Sequence, residues 1–207
     1  MDIHLAFDKL RENRPIFHSE ADFQFALAWE IQKMYPHASI RMECPSIEES
    51  NKYIDIVVRN EGKVYPIELK YKTKKFSTSM GDEQYRLKDH GAQDLGKYDC
   101  IKDISRIESF ANHLPGFKNG CVIWLTNDPY YWRAPSSSNA GYAEFSIHHG
   151  AKKTGAMHWG NNLSAGTIIK RENGLFLRGE YEIIWNEYSS LGVGNGLFKY
   201  AFISVGS

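Results

Sequence analysis

The chain has 207 residues, which is enough for one domain with a substantial core. Hydrophobic residues make up 42% of the sequence and charged residues 24%, the composition of an ordinary soluble globular protein. The formal net charge is zero, so overall basicity does not indicate a nucleic-acid partner, and such binding would have to use a local patch.

The cysteines and the N-terminal sequence indicate a cellular compartment. The three cysteines are scattered and form no Cys-x-x-Cys motif, which favours a reduced, intracellular protein. The first twenty residues are rich in charge and contain no apolar region of a signal peptide. No stretch approaches the roughly 18 apolar residues that span a bilayer. We therefore expect a cytoplasmic protein without a membrane partner.

Two helices are predicted at the start of the chain. The first covers residues 1–11 and stops before Pro15. Ser19 has the properties of an N-cap for the second helix, which runs to about Tyr35, just before Pro36. An apolar stripe at helical spacing supports the second helix and consists of Phe23, Leu27, Ile31 and Met34.

Glu30 departs from the pattern of this second helix. It lies beside Ile31, on the inward side of the apolar stripe. An ionised glutamate next to a core must reach water, a cation or another polar partner. Glu30 is therefore either a boundary residue that leans into solvent or a carboxylate that belongs to a site.

A hairpin over residues 53–71 dominates the middle of the chain. A first strand at residues 39–43 and a polar loop at residues 45–52 precede it. The hairpin has two runs rich in β-branched residues, separated by the turn residues Asn60-Glu61-Gly62. A two-residue loop places Asp55 directly opposite Glu68, whereas a three-residue loop with a bulge makes Glu68 the diagonal neighbour of Asp55.

Either register brings two carboxylates close together, with Lys70 on the same strand face as Glu68. Two ionised carboxylates about 5 Å apart repel by roughly 3 kcal/mol at an effective dielectric constant near 20, and like charges directly opposite destabilise a sheet. A divalent cation reverses this effect. Mg²⁺ prefers such oxygen ligands together with substrate phosphate. The hairpin therefore predicts a metal and phosphate site.

The densest basic segment of the chain leaves directly from this hairpin. It contains Lys72, Lys74 and Lys75 among serines and threonines, which are common phosphate contacts. These lysines are either contacts to a nucleic-acid backbone or part of a solvated loop. Residues 80–91 are polar and predict an irregular connection.

The next two elements are a helix and a buried strand. Residues 92–113 have an apolar face at helical spacing, and Pro115-Gly116 ends the helix. Residues 121–126 are continuously apolar except for the final Thr126, as expected for a strand that is buried on both faces.

Residues 127–170 have little periodicity and many aromatic residues. Tyrosines and tryptophans interleaved with Arg133, Lys152 and Lys153 are suited to stacking bases and holding phosphates. Alternatively, the aromatic residues form a small core beneath an irregular region. The histidines of this segment lack the spacing and the partner ligands of a zinc site. Residues 180–188 and 197–205 predict further strands that form a second hairpin or extend the sheet.

At Asp55 and Glu68-Leu69-Lys70 the sequence resembles the PD-(D/E)xK nuclease superfamily, whose signature is an Asp near a hairpin and then (D/E)-x-K on the next strand. Ile54 stands where the family name expects a proline. The predicted element order over residues 19–126 agrees with the αβββαβ core of that superfamily. The resemblance implies a single restriction-endonuclease-like α/β domain, with a mixed central sheet flanked by helices and an irregular, β-containing extension over residues 127–207.

The resemblance also implies roles for individual residues. Asp55 and Glu68 would bind Mg²⁺, for which Mn²⁺ can substitute, with Glu30 and the Leu69 carbonyl as further ligands. Lys70 would orient or deprotonate the attacking water. On the later helix of this core, Gln93 would support the site, although a surface amide is the alternative. Contacts to nucleic acid would come from Lys72, Lys74, Lys75 and Arg133.

The function implied by the resemblance is metal-dependent hydrolysis of phosphodiester bonds, with DNA as the substrate of most superfamily members. Two alternatives remain open. The chain could have kept the fold without the chemistry, as a module that binds nucleic acid or protein, or the hairpin could be accidental in another α/β enzyme. The sequence also leaves open whether the chain acts as a monomer or as a homodimer.

Overall fold

The computed structural model describes residues 1–45, 53–135, 137, 140–161, 163 and 168–206. Its helices are α1 (Ile3–Asn13), α2 (Glu20–Met34) and α3 (Gln93–His113). Its strands are β1 (Ser39–Pro45), β2 (Tyr53–Asn60), β3 (Lys63–Lys72), β4 (Phe76–Met80), β5 (Glu83–Leu87), β6 (Gly120–Thr126), β7 (Ala151–Met157), β8 (Leu175–Ile183), β9 (Trp185–Ser190) and β10 (Leu197–Val205). None of the helices in the described ranges combines the length and the apolar composition of a bilayer-spanning segment.

A six-stranded mixed sheet in the order β1-β2-β3-β6-β10-β9 forms the centre of the fold. Strands β3 and β6 are parallel, with α3 between them in the chain, and the other neighbours are antiparallel. Strands β4–β5 and β7–β8 form two separate pairs. The predicted mixed α/β class is confirmed at this level. Strands β9 and β10 of the predicted extension lie in the same sheet as the hairpin.

Helices cover both faces of the central sheet. On one face, α1 and α2 pack on the sheet through a cluster that includes Phe7, Phe23 and Ile67. On the other face, α3 packs through a cluster that includes Ile104 and Trp124. Every residue of β6 is buried, which confirms the prediction of a strand covered on both sides.

The helix boundaries follow the predicted capping signals. Ser19 caps α2, because its hydroxyl oxygen accepts a 3.1 Å hydrogen bond from the Asp22 amide. The helix ends at Met34, one residue before the predicted end. Helix α3 begins at Gln93 and ends at His113, within one residue of the prediction at its start. Helix α1 spans Ile3–Asn13 and is shifted by two residues from the predicted range.

Two predicted segments were wrong, one was largely right, and one lies outside the described residues. The predicted connection at residues 80–91 contains β5, which pairs with β4. The irregular segment at residues 127–170 contains β7, whose small and basic residues hide the alternation of buried and exposed positions. Residues 180–188 and 197–205 are strands as predicted, apart from a break at Ile184: β9 and β10 form a second hairpin that extends the central sheet, whereas residues 180–183 belong to β8 in a separate pair. Of the loop predicted at residues 45–52, only Pro45 is described.

The turn between β2 and β3 has two residues. The pairs run from Asn60 opposite Lys63 to Ile56 opposite Ile67. In the loop, Glu61 has a φ of 50° and Gly62 a φ of 72°. Two successive residues with positive φ are the signature of the type I′ turn, which favours Asn-Gly. Glu61 is therefore strained, because a Cβ atom crowds the backbone in the left-handed region.

We expect the Glu61→Asn variant to be more stable than the wild-type chain by about 1 kcal/mol, because asparagine enters the left-handed region at lower cost. Urea unfolding measures the change. Asp82→Asn is the matched control: it removes the same charge from the β4–β5 turn, at a residue without a positive φ. Equal stabilisation by both substitutions would show that charge, not backbone strain, is responsible.

Candidate active site

The end of the β2–β3 hairpin brings together the Asp, the Glu and the Lys that the sequence analysis singled out. The described ladder stops at the Ile56–Ile67 pair. Beyond it, Oδ2 of Asp55 accepts a 2.6 Å hydrogen bond from the backbone amide of Leu69. Glu68 and Lys70 flank Leu69 in the strand, so their side chains leave the face opposite to Leu69, towards α3.

The Lys70 ammonium is surrounded by oxygen atoms. Its Nζ donates a 2.8 Å hydrogen bond to the Leu69 carbonyl. The same nitrogen lies 3.6 Å from Oδ2 of Asp103, 3.8 Å from Oδ2 of Asp55 and 4.0 Å from Oε1 of Glu20. One cation therefore contacts carboxylates from α2, β2 and α3.

Helix α3 contributes a second cation and a further carboxylate. The Arg106 guanidinium pairs with Asp103 one turn earlier on α3 and with Oε1 of Glu68 at 3.1 Å. It also donates a 3.2 Å hydrogen bond to the Tyr53 carbonyl. Glu68 is 1% exposed and Asp103 is 2% exposed, so the guanidinium bridges two buried acids.

Helix α2 supports the site from the opposite face of the sheet. Oε2 of Glu20 accepts a 2.7 Å hydrogen bond from the amide of Tyr71. The buried Gln24 amide donates hydrogen bonds to the Asp55 carbonyl at 2.5 Å and to Oε1 of Glu43 at 3.1 Å. Glu43 has a φ of 51°, and strained residues of this kind often lie near functional sites.

The cluster holds more acid than base. Glu20, Asp55, Glu68 and Asp103 surround Lys70 and Arg106. Burial and then repulsion by Asp103 raise the pKa of Glu68 to about 9. Burial likewise raises the pKa of Asp55 and of Asp103. Burial acts to lower the pKa of Lys70, but the carboxylates, first Asp103 and then Asp55, raise it above its ordinary value.

These pKa shifts come first from burial. A buried carboxyl group holds a proton up to about pH 9 because burial disfavours its charged form and the surrounding cations offset that effect only in part. Oδ2 of Asp103 is buried and accepts no hydrogen bond from any described group. A proton or a divalent cation would each relieve the excess of negative charge.

The oxygen donors fit a hard cation by type, although the two basic side chains now lie among them. Asp55, Glu68 and the Leu69 carbonyl are the kinds of ligand that Mg²⁺ takes. Within the described ranges, no three His, Cys, Asp or Glu side chains are arranged around a common metal position. Metal binding would therefore require Lys70 or Arg106 to give up part of its present contacts.

Two residues predicted to join the site have other partners. Glu30 is buried on α2 and pairs with Lys33, one turn later. The carboxylate that α2 brings to Lys70 is Glu20 instead. The Gln93 amide donates a 3.1 Å hydrogen bond to Oδ2 of Asp128. Gln93 lies ten residues before Asp103 on α3, about 15 Å along the helix axis.

The predicted nucleic-acid contacts lie in different places around the end of β3. Lys72 lines a groove of about 360 Å³ together with His18, Glu20, Arg86, Lys88 and His90. Lys74 and Arg133 line a second, separate cavity. Lys75 is exposed, and its carbonyl accepts a 3.1 Å hydrogen bond from Asn195.

Sequence reasoning missed Glu20, Asp103 and Arg106, although one of them carried a signal. Asp103 occupies the apolar stripe of α3, next to Ile104 and one turn from Ile107, where a carboxylate needs a partner. Glu20 is an acid in the first turn of α2, where the helix dipole already accounts for it, so the sequence gives no sign of its contact with Lys70. Arg106 resembles any helical arginine until the neighbouring strands are in place.

The aromatic residues of the segment after β6 serve mainly as core. Tyr131, Phe145 and Ile147 are buried against α3, and Trp159 stacks on Tyr98. Tyr130 is the exception, because it remains 40% exposed. This distribution favours the small-core interpretation for most of the segment. Comparison of the chain with known protein families, with curated proteins and with solved structures finds no match.

Proposed function

We propose that this protein is a metal-dependent nuclease of the PD-(D/E)xK type that hydrolyses phosphodiester bonds, with DNA as the substrate. One observation carries the proposal: Asp55, Glu68 and Lys70 meet at the end of the hairpin, within a buried cluster that has more carboxylates than cations. A cluster built only for stability would balance these charges, because unpaired buried charge costs several kcal/mol.

The topology supports the proposal. The elements α2, β1, β2, β3, α3 and β6 follow one another in the order helix, three strands, helix, strand, apart from the inserted β4–β5 pair. The sheet order β1-β2-β3-β6, with β3 and β6 parallel, places the hairpin ends beside α3. This is the arrangement expected of the αβββαβ core. Fold alone does not establish an activity, so the site carries the assignment.

The proposed metal ligands are Asp55, Glu68 and the Leu69 carbonyl. When bound, Mg²⁺ would supply the Lewis acidity that stabilises the charge developing on the phosphate, an effect of several kcal/mol. Glu68 would lose its proton on binding, since a ligating carboxylate is ionised. Mn²⁺ fits the same oxygen donors.

Lys70 acts as a positive hydrogen-bond donor in this proposal. The surrounding carboxylates raise its pKa, so the amine keeps its proton at neutral pH. Its role is then to orient the attacking water and the phosphate, and proton abstraction falls to another group or to the solvent. Asp103 holds the ammonium from α3 at 3.6 Å and thereby positions it.

The groove beside Glu20 supports a nucleic-acid substrate. It contains the basic side chains of Lys72, Arg86 and Lys88 along with two histidines. Glu20 lines this groove and also lies 4.0 Å from Lys70 Nζ, so a strand bound there would pass close to the cluster. A local basic groove provides phosphate contacts that the neutral overall charge does not.

A second candidate function is a silent module that keeps the fold and binds nucleic acid or protein. The position of Arg106 favours it, because the guanidinium already bridges Glu68 and Asp103. A permanent counterion there would compete with a metal for Glu68 and Asp103. The two functions therefore differ in whether the cluster binds a divalent cation.

We expect Mn²⁺ to bind the wild-type chain and to stabilise it by about 2.7 kcal/mol at a free concentration of 100 times Kd. Binding displaces the Glu68 proton, so the affinity should increase as the pH rises towards about 9. Titration calorimetry at several pH values and thermal unfolding measure both effects.

Asp55→Asn should remove Mn²⁺ binding, whereas Glu30→Gln should leave it unchanged. Glu30 is the matched control, since it is also a buried carboxylate but pairs with Lys33. An absence of binding heat and of stabilisation at pH 8.5 would favour the silent module. The direct test of activity is cleavage of single-stranded, duplex and branched DNA with Mg²⁺ or Mn²⁺, and intact substrates in every case would contradict the nuclease proposal.

A further inference from the structure

A second cavity, of about 420 Å³, lies at the start of α3, away from the hairpin cluster. Its volume is within the usual range of small-molecule sites, about 300–1,000 Å³. Its lining combines aromatic, basic and hydrogen-bonding side chains and includes Lys74, Gln93, Lys97, Asp128, Tyr130 and Arg133. The proposed hydrolysis at the hairpin uses none of these residues.

A buried lysine forms part of the cavity wall. Lys97 is only 1% exposed, and its Nζ lies 3.6 Å from the ring centroid of Tyr130 and 4.0 Å from that of Tyr142. Cation–π contacts of this kind stabilise a desolvated ammonium. Burial lowers the pKa of Lys97 to about 8, while Asp94 and Asp128 oppose that change. The wall is therefore cationic and aromatic at once.

Tyr130 presents its ring to the cavity in a fixed orientation. Its hydroxyl donates a 3.0 Å hydrogen bond to Asp94, and its amide donates to Oδ1 of Asp128 at 3.0 Å. The residue nevertheless remains 40% exposed. An aromatic ring that is held in place and left open is a stacking surface for another ring.

The polar groups of the cavity complement a nucleotide. The Gln93 side chain lines the cavity and is held there by a 3.1 Å hydrogen bond that its amide donates to the buried Asp128 carboxylate, and an amide group can both donate to and accept from the edge of a base. Lys74 Nζ lies 3.7 Å from the same carboxylate, and Arg133 is exposed at the rim. Lysine and arginine side chains are the usual partners of phosphate.

We propose that this cavity binds one nucleotide unit of a nucleic acid, with the base against Tyr130 and the phosphate at Lys74 and Arg133. The inference rests on the proposed function in taking nucleic acid as the substrate. Lys97 precedes Asp103 by six residues, about 9 Å along α3. A duplex strand advances about 3.4 Å per nucleotide, so the cavity lies within a few nucleotides of the hairpin cluster.

The test measures binding of deoxynucleoside monophosphates by the full-length Asp55→Asn chain in EDTA, where no cleavage interferes. We expect saturable binding in titration calorimetry, and affinities at least 10-fold lower after Tyr130→Leu or Arg133→Ala is added. Tyr130→Leu keeps the apolar bulk, and circular dichroism with thermal unfolding verifies that each variant is folded. Arg59→Ala, which removes an exposed arginine on β2 that lines neither this cavity nor the groove beside Glu20, is the matched control and should leave the affinity unchanged.

Three outcomes would overturn the inference: undetectable binding, binding that neither substitution weakens, or equal affinities for the nucleotide and for inorganic phosphate. A nucleoside that binds as tightly as its monophosphate would overturn the phosphate assignment. Because the assay contains no metal and a disabled hairpin site, a negative result leaves the nuclease proposal standing. Conversely, loss of DNA cleavage in variants of the hairpin site would not change the nucleotide binding measured in this assay.

Discussion

The Lys70→Met and Asp55→Asn variants are expected to cleave DNA roughly 10³-fold more slowly than the wild-type chain, the scale on which a single preorganised electrostatic group contributes to a transition state. Lys70 Nζ is held by the Leu69 carbonyl and lies within 4.0 Å of three carboxylates. Methionine keeps the length of the side chain and removes the charge. Asparagine at position 55 keeps the shape and removes a proposed metal ligand.

Initial rates of cleavage of a labelled duplex in Mg²⁺ and in Mn²⁺ measure this effect. Glu30→Gln serves as the control, because it also neutralises a buried acid of the same chain but leaves the hairpin cluster intact. The two active-site variants should be as well folded as wild type by circular dichroism. Cleavage that persists at the wild-type rate in either variant would remove Asp55 or Lys70 from the mechanism.

The hairpin part of this site was predictable from sequence because its geometry is local. The turn residues Glu61-Gly62 fix the pairing, and the alternation of strand side chains then places Glu68 and Lys70 on one face. The observed pairs have the register of the two-residue loop, which confirms one of the two predicted alternatives. The structure adds one feature that the register does not predict: beyond the end of the described ladder, the Asp55 carboxylate accepts a hydrogen bond from the Leu69 amide.

The remaining charges of the cluster depend on tertiary structure. Helical spacing puts Asp103 on the buried stripe of α3, but nothing local reveals that this stripe crosses Lys70 and Glu68. The same dependence on tertiary structure explains why the sequence predicted Glu30, and not Glu20, as the α2 carboxylate of the site. Ten residues, or about 15 Å of helix, separate it from Glu20, and only the docking of α2 on the sheet decides which end meets Lys70.

The basic segment after β3 illustrates a different limit. Composition predicted one patch, but Lys72 and Lys74 line different cavities, and β4 follows them closely in the chain. The strands of the β4–β5 pair have five residues each, and only Tyr85 and Leu87 of β5 are buried in alternation with polar residues, which is too short a pattern to predict a strand. Without that pair, Arg86 and Lys88 could not be assigned to the groove beside Glu20.

Arg106→Gln should lower the free energy of unfolding by about 3 kcal/mol at pH 9.5 in the absence of metal, because removing one partner of a buried ion pair leaves uncompensated charge. Glu68 and Asp103 are both buried and would lose their shared guanidinium. Urea unfolding measures the loss. Arg171→Gln is the control: its partner Asp99, also on α3, is partly exposed, so that pair should contribute less than about 1 kcal/mol.

The destabilisation should depend on pH with a definite sign. The folded-state pKa of Glu68, about 9, exceeds its ordinary value of 4.5, so the folded chain retains a proton that the unfolded chain has released. Stability is therefore fully present below about pH 4.5 and is lost as the pH rises through about 9. Arg106 lowers the pKa of Glu68, so without it the loss of stability continues to higher pH, and the difference between variant and wild type should be small at pH 5 and largest above about pH 9.

Mn²⁺ then separates the two candidate functions in this same variant. If the cluster is a metal site, a divalent cation replaces the missing guanidinium charge, and Arg106→Gln should gain more stability from Mn²⁺ than the wild-type chain gains. If Arg106 is the permanent counterion of a silent module, Mn²⁺ should leave both chains unchanged. A variant that is destabilised and indifferent to Mn²⁺ at pH 8.5 would therefore contradict a metal site at Asp55 and Glu68, because the strongest competing cation has been removed.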